Sequence, residues 1–239
     1  MSHDHDFHIS RRRVLMLGAS AAVAGISDLF GSGSAFAATA GADISHGPRN
    51  RAEVALTFHG AGDLTIARKI LAIAKKTQTP ITVMAVGVWL NANPTIGREI
   101  VDGGHDLGNH TLNHKTMTLL SLKQATSEVA LGKTALIKAV GSAGELFRPS
   151  GTLKSNATIR KAAGASGYAH CLTYDVDSLD YTDPSAATVV SNSLKLLQNG
   201  SIIGMHFGHP HTVTALPLLI EALKARNLTP VTVTQLLRP

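Results

Sequence analysis

His110 and His114, in the stretch Asn109-His110-Thr111-Leu112-Asn113-His114, are the residue pair whose type and spacing most directly suggest metal chemistry. On a helix, positions i and i+4 share one face, close enough for two imidazoles to hold a single ion. The chain contains twelve histidines, so chance can produce such a pair, and two polar residues on a solvated turn are the plain alternative. A second stretch poses its own question. In LTFHGAGD, residues 56–63, the apolar run Val54 to Phe58 stops at His59, followed by Gly-Ala-Gly and then Asp63. Arg148, Asp177 and His206 complete the set of side chains able to move protons or carry charge just beyond an apolar run.

Those side chains need elements to position them. Short β-branched runs at 54–58, 81–86, 106–108, 146–148, 168–176, 201–206 and 230–234 read as strands. Between them, amphipathic stretches at 64–76, 94–103, 122–140, 156–163, 185–197 and 216–226 read as helices. Strand–helix alternation along the chain predicts a parallel α/β fold. Seven strands suit either a doubly wound sheet or a closed barrel. His59, His110, Arg148, Asp177 and His206 each fall at or just beyond the C-terminal end of a different expected strand. A barrel gathers all such ends at one mouth, whereas an open sheet gathers only those at its switch point. A barrel is therefore expected.

Composition excludes several classes. The net charge is +6, spread thinly, with no basic run, zinc-finger spacing or aromatic–basic stripe, so nucleic acid is not an expected partner. This balance suits an anionic surface such as a cell wall. Cys171 is the single cysteine, so no internal disulfide can form. Residues 1–37 read as a twin-arginine export signal: Arg11-Arg12-Arg13, a short apolar stretch from Val14 to Ile26, and a small-x-small site at Ala35-Phe36-Ala37. That stretch is too short to span a bilayer, so no stable membrane insertion is expected. His3, His5 and His8 would leave with the signal. The mature protein would be periplasmic, extracellular or associated with the cell wall, with a short N-terminal segment over residues 38–50 and one catalytic domain over 51–239.

The motifs carry a resemblance. The run "PITVMAVGVWLNANPTIGREIVDGGHDLGNHTLNH", from Pro80, resembles the second and third elements of the polysaccharide deacetylase family, the NodB-homology esterases of carbohydrate esterase family 4. "FRPSG" (147–151) resembles that family's arginine motif, "DVDSLDY" (175–181) is similar to its Asp-x-x-Asp-Trp motif, and "IIGMHFGH" (202–209) to its final histidine motif. The resemblance covers the chain from about Arg51 onward. It implies a distorted (β/α)7 barrel and one divalent metal per chain, usually zinc, held by His110 and His114. It further implies His206 as general acid, with Arg148 and Asp177 as charged partners that orient the site; a structural ion pair between Arg148 and Asp177 is the plain alternative. The substrate implied is a glycan containing N-acetylglucosamine, such as peptidoglycan or chitin, with O-acetyl esters also open. Ser150 or Gly151 would offer a backbone N–H to the oxyanion, and Tyr181 stands where the family has tryptophan. Trp89 is expected to pack rather than hold sugar, and His209 and His211 are expected in a loop, as bystanders or at the substrate rim.

The departure lies in the first motif. The family has Thr-Phe-Asp-Asp-Gly, a base followed by the third metal ligand; this chain has Thr57-Phe58-His59-Gly60-Ala61-Gly62-Asp63. Three readings compete. The turn folds back so that Asp63 completes the metal set and His59 acts as base, with glycine permitting the sharp turn. Alternatively, His59 itself is the third ligand and Asp63 the base or an outer partner. In the third reading the site is inactive and the barrel binds glycan. A hydrolase of a different acyl group is a further possibility.

Overall fold

The structure, a computed structural model, describes residues 39–239, so the expected export signal with His3, His5 and His8 lies outside the described residues. Strand β1, Glu53–Gly60, is the axis of the fold. Alternation along it sends Val54, Leu56 and Phe58 to an outer apolar layer, while Ala55 joins an inner one with Met84 and Ile202. Both faces are buried, which is why the strand reads as a nearly continuous apolar run.

Helix α1 (Leu64–Thr77) leads to β2 (Thr82–Ala85), and the short helices α2 (Gly87–Ala92) and α3 (Ile96–Asp102) lead to β3 (Asp106–Asn109). The long helix α4 (Leu122–Val140) opens on a Ser121/Gln124 capping box and closes at Gly141, whose φ of 81° only glycine adopts readily. Helix α5 (Ala157–Ala165), β4 (Val176–Asp177), α6 (Ala186–Lys195), β5 (Ile202–His206), α7 (Pro210–Lys224), β6 (Thr229–Val231) and α8 (Val233–Leu236) complete the chain.

All pairings between these strands are parallel, in the order β3-β2-β1-β5-β4, with β6 added at the start of β1. The ring continues through bridges rather than full strands. Asn109 pairs with Phe147, the Leu172 N–H donates to the Phe147 carbonyl, and Asp175 N–H donates to Ile202 beside β4. Two of the seven expected strands are thus reduced: 146–148 to a bridge, and 168–176 to a bridge followed by the two-residue β4. The N-terminal segment lies along this seam, Ile44 pairing with Leu172 and His46 with Ser201. The barrel expected from the strand ends is the fold observed. Helix α7 starts earlier than expected, with Pro210 at its first turn and His209 as its cap residue, a position where the missing proline N–H costs nothing.

Helix α4 presses on the loop after β3. A Cβ placed on Gly132 would lie 2.3 Å from Asn109 Oδ1 and 2.8 Å from the Thr111 carbonyl carbon. Glycine to alanine inside a helix ordinarily stabilises by about 1 kcal/mol. Here the sign should reverse. Gly132→Ala is expected to destabilise by roughly 1–3 kcal/mol through overpacking, read as a lower thermal midpoint; an unchanged or raised midpoint would show that the loop yields freely.

Candidate metal and catalytic site

Parallel register brings the site together. His59 ends the inward-facing series of β1 and lies directly opposite His206 of β5. Asn109 ends β3 opposite Ala85, and the next residue, His110, donates its backbone N–H to the Ala85 carbonyl. One potential ligand atom from each of His59, His110 and His114 lies within 4.8 Å of the others. The rings of His59 and His110 are 4.6 Å apart between centroids, and those of His110 and His114 4.9 Å.

His110 and His114 share no helix. They sit on a turn in which Thr111 and His114 both have positive φ, 67° and 56°. Such residues cost of order 1–3 kcal/mol each and persist where the surroundings hold them. Three anchors do so here. Asn109 Oδ1 accepts the Thr111 N–H, Thr111 Oγ1 meets Ser150 Oγ at 2.9 Å, and Asn113 donates twice to the buried carboxylate of Glu128. Burial alone would raise the Glu128 pKa, but the Asn113 donors and Lys115 hold it below the ordinary value. Ser150 also donates to the Lys115 carbonyl, so its side chain braces the histidine loop. Gly151, at φ 65°, packs against Thr116, where a Cβ would meet the Thr116 Cα at 2.8 Å.

The atoms fit a divalent metal. His110 Nδ1 donates to the Arg148 carbonyl at 2.8 Å, which fixes the tautomer with its lone pair on Nε2. The Nε2 atoms of His110 and His59 are both buried with no hydrogen-bond partner, an uncommon cost unless another group satisfies them. Three neutral imidazoles with an open fourth position form a donor set suited to catalytic zinc.

Asp63 is not with them. Its exposed carboxylate accepts the backbone N–H groups of Thr65 and Ile66 as the N-cap of α1, and these bonds hold its pKa low. The structure thus places His59, expected as base, beside His110 and His114, and leaves Asp63, expected as ligand, outside the cluster. The intervening glycines serve packing: Gly62, at φ 96°, lies against Gly208, and its carbonyl accepts from Trp89 Nε1 at 2.9 Å. No carboxylate joins the three histidines among the described residues.

His206 has its own partner. Its Nδ1 lies 2.7 Å from Asp180 Oδ1, and its backbone N–H and the Thr212 hydroxyl both donate to Asp180 Oδ2. Burial alone would raise the pKa of Asp180, but the bonds from His206 and Thr212 hold it below the ordinary value. Asp177, the aspartate expected to orient the site, instead accepts the Leu179 N–H in a local turn. Asp180 stood in the same quoted motif, and its spacing from Asp177 gave no signal as to which of the two would turn inward. Arg148 is buried, with one Nη donating to Thr57 Oγ1 and the Thr173 carbonyl, and its guanidinium lies 5.2 Å from the Tyr174 ring centroid. It forms no ion pair among the described residues, so the Arg148–Asp177 ion pair that was the plain alternative is absent, and burial lowers its pKa to about 10. Tyr181 remains half exposed, with its ring 5.3 Å from that of His206.

Burial, reinforced by the neighbouring histidines and Arg148, holds His59 and His110 well below the ordinary histidine pKa, and burial lowers His114 as well. The unfolded chain takes up these protons near pH 6.5, whereas the folded chain refuses them. Their contribution is therefore fully present above about pH 6.5 and falls as the pH drops toward the lowered folded values. The metal-free mature chain should accordingly lose thermal stability between pH 7.5 and 5.5, by up to about 1.4 kcal/mol per pH unit for each of His59 and His110, and by less for the exposed, solvent-screened His114. A flat midpoint across that range would contradict the burial of these rings.

Residues 46–171 match the family described as polysaccharide deacetylase. A peptidoglycan-N-acetylglucosamine deacetylase of Bacillus cereus is 29% identical over 80% of this chain and 91% of its own length. A chitooligosaccharide deacetylase of a Bradyrhizobium species is 25% identical over 73% of this chain and 85% of its own. Among solved structures, a carbohydrate esterase family 4 pseudoenzyme from Bacillus anthracis superposes with a TM-score of 0.77 at 25% identity, covering 82% of this chain and 69% of that one.

Proposed function

The chain belongs to the polysaccharide deacetylase family, and we propose that it is an exported, metal-dependent deacetylase acting on a glycan that contains N-acetylglucosamine, in peptidoglycan or chitin. The observation that carries this reading is the cluster of His59, His110 and His114, with two unpartnered buried Nε2 atoms, directly beside the His206–Asp180 pair. His59, His110 and His114 would hold the metal, zinc being the best match to three imidazoles. When bound, such a metal polarises the acetyl carbonyl and activates water.

The remaining steps fall to the chain itself. Asp180 fixes His206 with Nδ1–H toward the carboxylate, leaving Nε2 to exchange a proton at the reacting group. His206 then protonates the departing amine, and a backbone N–H at Ser150 or Gly151 would steady the oxyanion. Arg148 sets the ring of His110 through its carbonyl. Export rests on the arginine run and the Ala35-Phe36-Ala37 site of the sequence.

The test is acetate release from an N-acetylglucosamine oligomer by the zinc-loaded mature chain. Loss of release on chelation and in His206→Ala is expected; release indifferent to His206 would sink the mechanism. One observation favours a second reading. Both carboxylates of the family's first motif are gone, His59 and Gly60 standing in their places, and among the described residues no carboxylate joins the three histidines. A barrel that binds glycan without cleaving it would show affinity that survives both chelation and His110→Ala.

A further inference from the structure

Next to the His206–Asp180 pair stands a second histidine–carboxylate pair of the same construction that the reaction does not use. His209 Nδ1 lies 2.7 Å from Asp183 Oδ1. Asp183 follows Asp180 by three residues, as His209 follows His206, so the same two segments are joined twice. The two pairs differ in depth. Asp180 is fully buried and also bonded by Thr212, whereas the Asp183 side chain is 60% exposed. The two histidine rings lie 5.8 Å apart between centroids and almost perpendicular, which sets the second pair outward from the first. His209 is the cap residue of α7, yet its ring makes no capping bond to the helix and turns to Asp183 instead. Tyr181, between the two aspartates in sequence, lines the same edge with its ring near His206.

We propose that His209, Asp183 and Tyr181 form a saccharide-binding subsite at the mouth of the barrel, which holds the sugar ring adjoining the one whose acetyl group reaches His206. Asp183 fixes His209 with Nδ1–H toward the carboxylate, which leaves Nε2 free to accept a hydrogen bond from a sugar hydroxyl. The second oxygen of Asp183 can accept from the N–H of the neighbouring acetamide. Tyr181 offers a rigid, half-exposed ring face against which the apolar face of a pyranose can pack. Two adjacent hydrogen-bonding ring substituents beside a flat C–H face, in N-acetylglucosamine the C3 hydroxyl and the C2 acetamide N–H, are a feature of saccharides, so the ligand class follows from the arrangement. The identity of the glycan rests on the functional reading above, but the subsite does not require that the chain be catalytic.

The experiment is calorimetric titration of the mature chain, held metal-free with chelator, with the β-1,4-linked pentamer of N-acetylglucosamine and with the monomer. His209→Ala and Asp183→Ala are each expected to weaken pentamer binding about tenfold, the scale of one lost hydrogen bond to a polar or charged group. Monomer binding should not change in either variant, and both should keep the wild-type thermal midpoint to within a few degrees. Unchanged pentamer binding, or an equal loss for monomer and pentamer, would overturn the subsite. If the pentamer binds and the variants weaken it while no acetate is released from any substrate, the deacetylase reading fails and the subsite stands. If the pentamer does not bind the wild-type chain at all, both fall.

Discussion

The mature chain carrying His59→Ala will lose its zinc, whereas Asp63→Ala will keep it. The two substitutions separate the readings that the first motif leaves open. His59 Nε2 is buried and unpartnered within reach of His110 and His114, so removing this ring takes away one of three donors. Outer-shell changes around metal-ligating histidines cost roughly 10–100-fold in affinity, and loss of a direct ligand should exceed that range. Asp63 is already committed to the amides of Thr65 and Ile66. Its loss should appear as helix destabilisation of about 1 kcal/mol, typical for an N-cap, with about one zinc per chain retained. The measurement is metal content after dialysis against trace zinc, beside a thermal midpoint for each variant. Zinc lost from Asp63→Ala and kept by His59→Ala would mean that the turn refolds on loading. That would require breaking the α1 cap, the Trp89–Gly62 bond and the close packing of Gly62 on Gly208.

The sequence carried the barrel well because its signal was collective. Strand ends bearing His59, His110 and His206 could meet only at one mouth, and their meeting follows from parallel register alone. Helix limits such as 122–140 were legible from periodicity and a cap. Two strands were not, since each survives as a bridge whose hydrogen bonds depend on partners remote in sequence. The site failed to read wherever two like residues competed for one role. Asp63 and His59 both lay within reach of the metal position, and the local signal against Asp63 was its place at the head of a helix. A carboxylate followed by Leu-Thr-Ile at the head of an amphipathic run is itself a cap signal. The bend at 110–114 was likewise hidden, because i and i+4 spacing fits a helix as well as it fits a turn held by Asn109, Ser150 and Glu128.

Asp180→Ala should reduce acetate release as far as His206→Ala does, and Asp177→Ala should leave most of it. General acid–base groups contribute typically 10²–10⁴-fold, and a histidine that loses the carboxylate fixing its tautomer loses much of that share. In the fold Asp180 receives three donors: the His206 ring, the His206 backbone N–H and the Thr212 hydroxyl. Among the described residues, Asp177 receives only the Leu179 amide of its own turn. Alanine at 180 leaves the three donors without an acceptor at a fully buried position, so stability should also fall, by roughly 1–3 kcal/mol for each donor left unsatisfied. A catalytic effect is separable from that loss. Nitrogen NMR of the imidazole reports which ring nitrogen carries the proton, and in wild type this should be Nδ1 of His206. In Asp180→Asn, which can still present one oxygen while introducing donors of its own, the tautomer should become mixed even at temperatures where the variant is fully folded. That readout holds whether or not the chain turns over substrate. Full activity in Asp180→Ala together with its loss in Asp177→Ala would mean that the aspartates exchange places when substrate binds. The buried bonds to Thr212 and the His206 amide are the physical reason to expect otherwise.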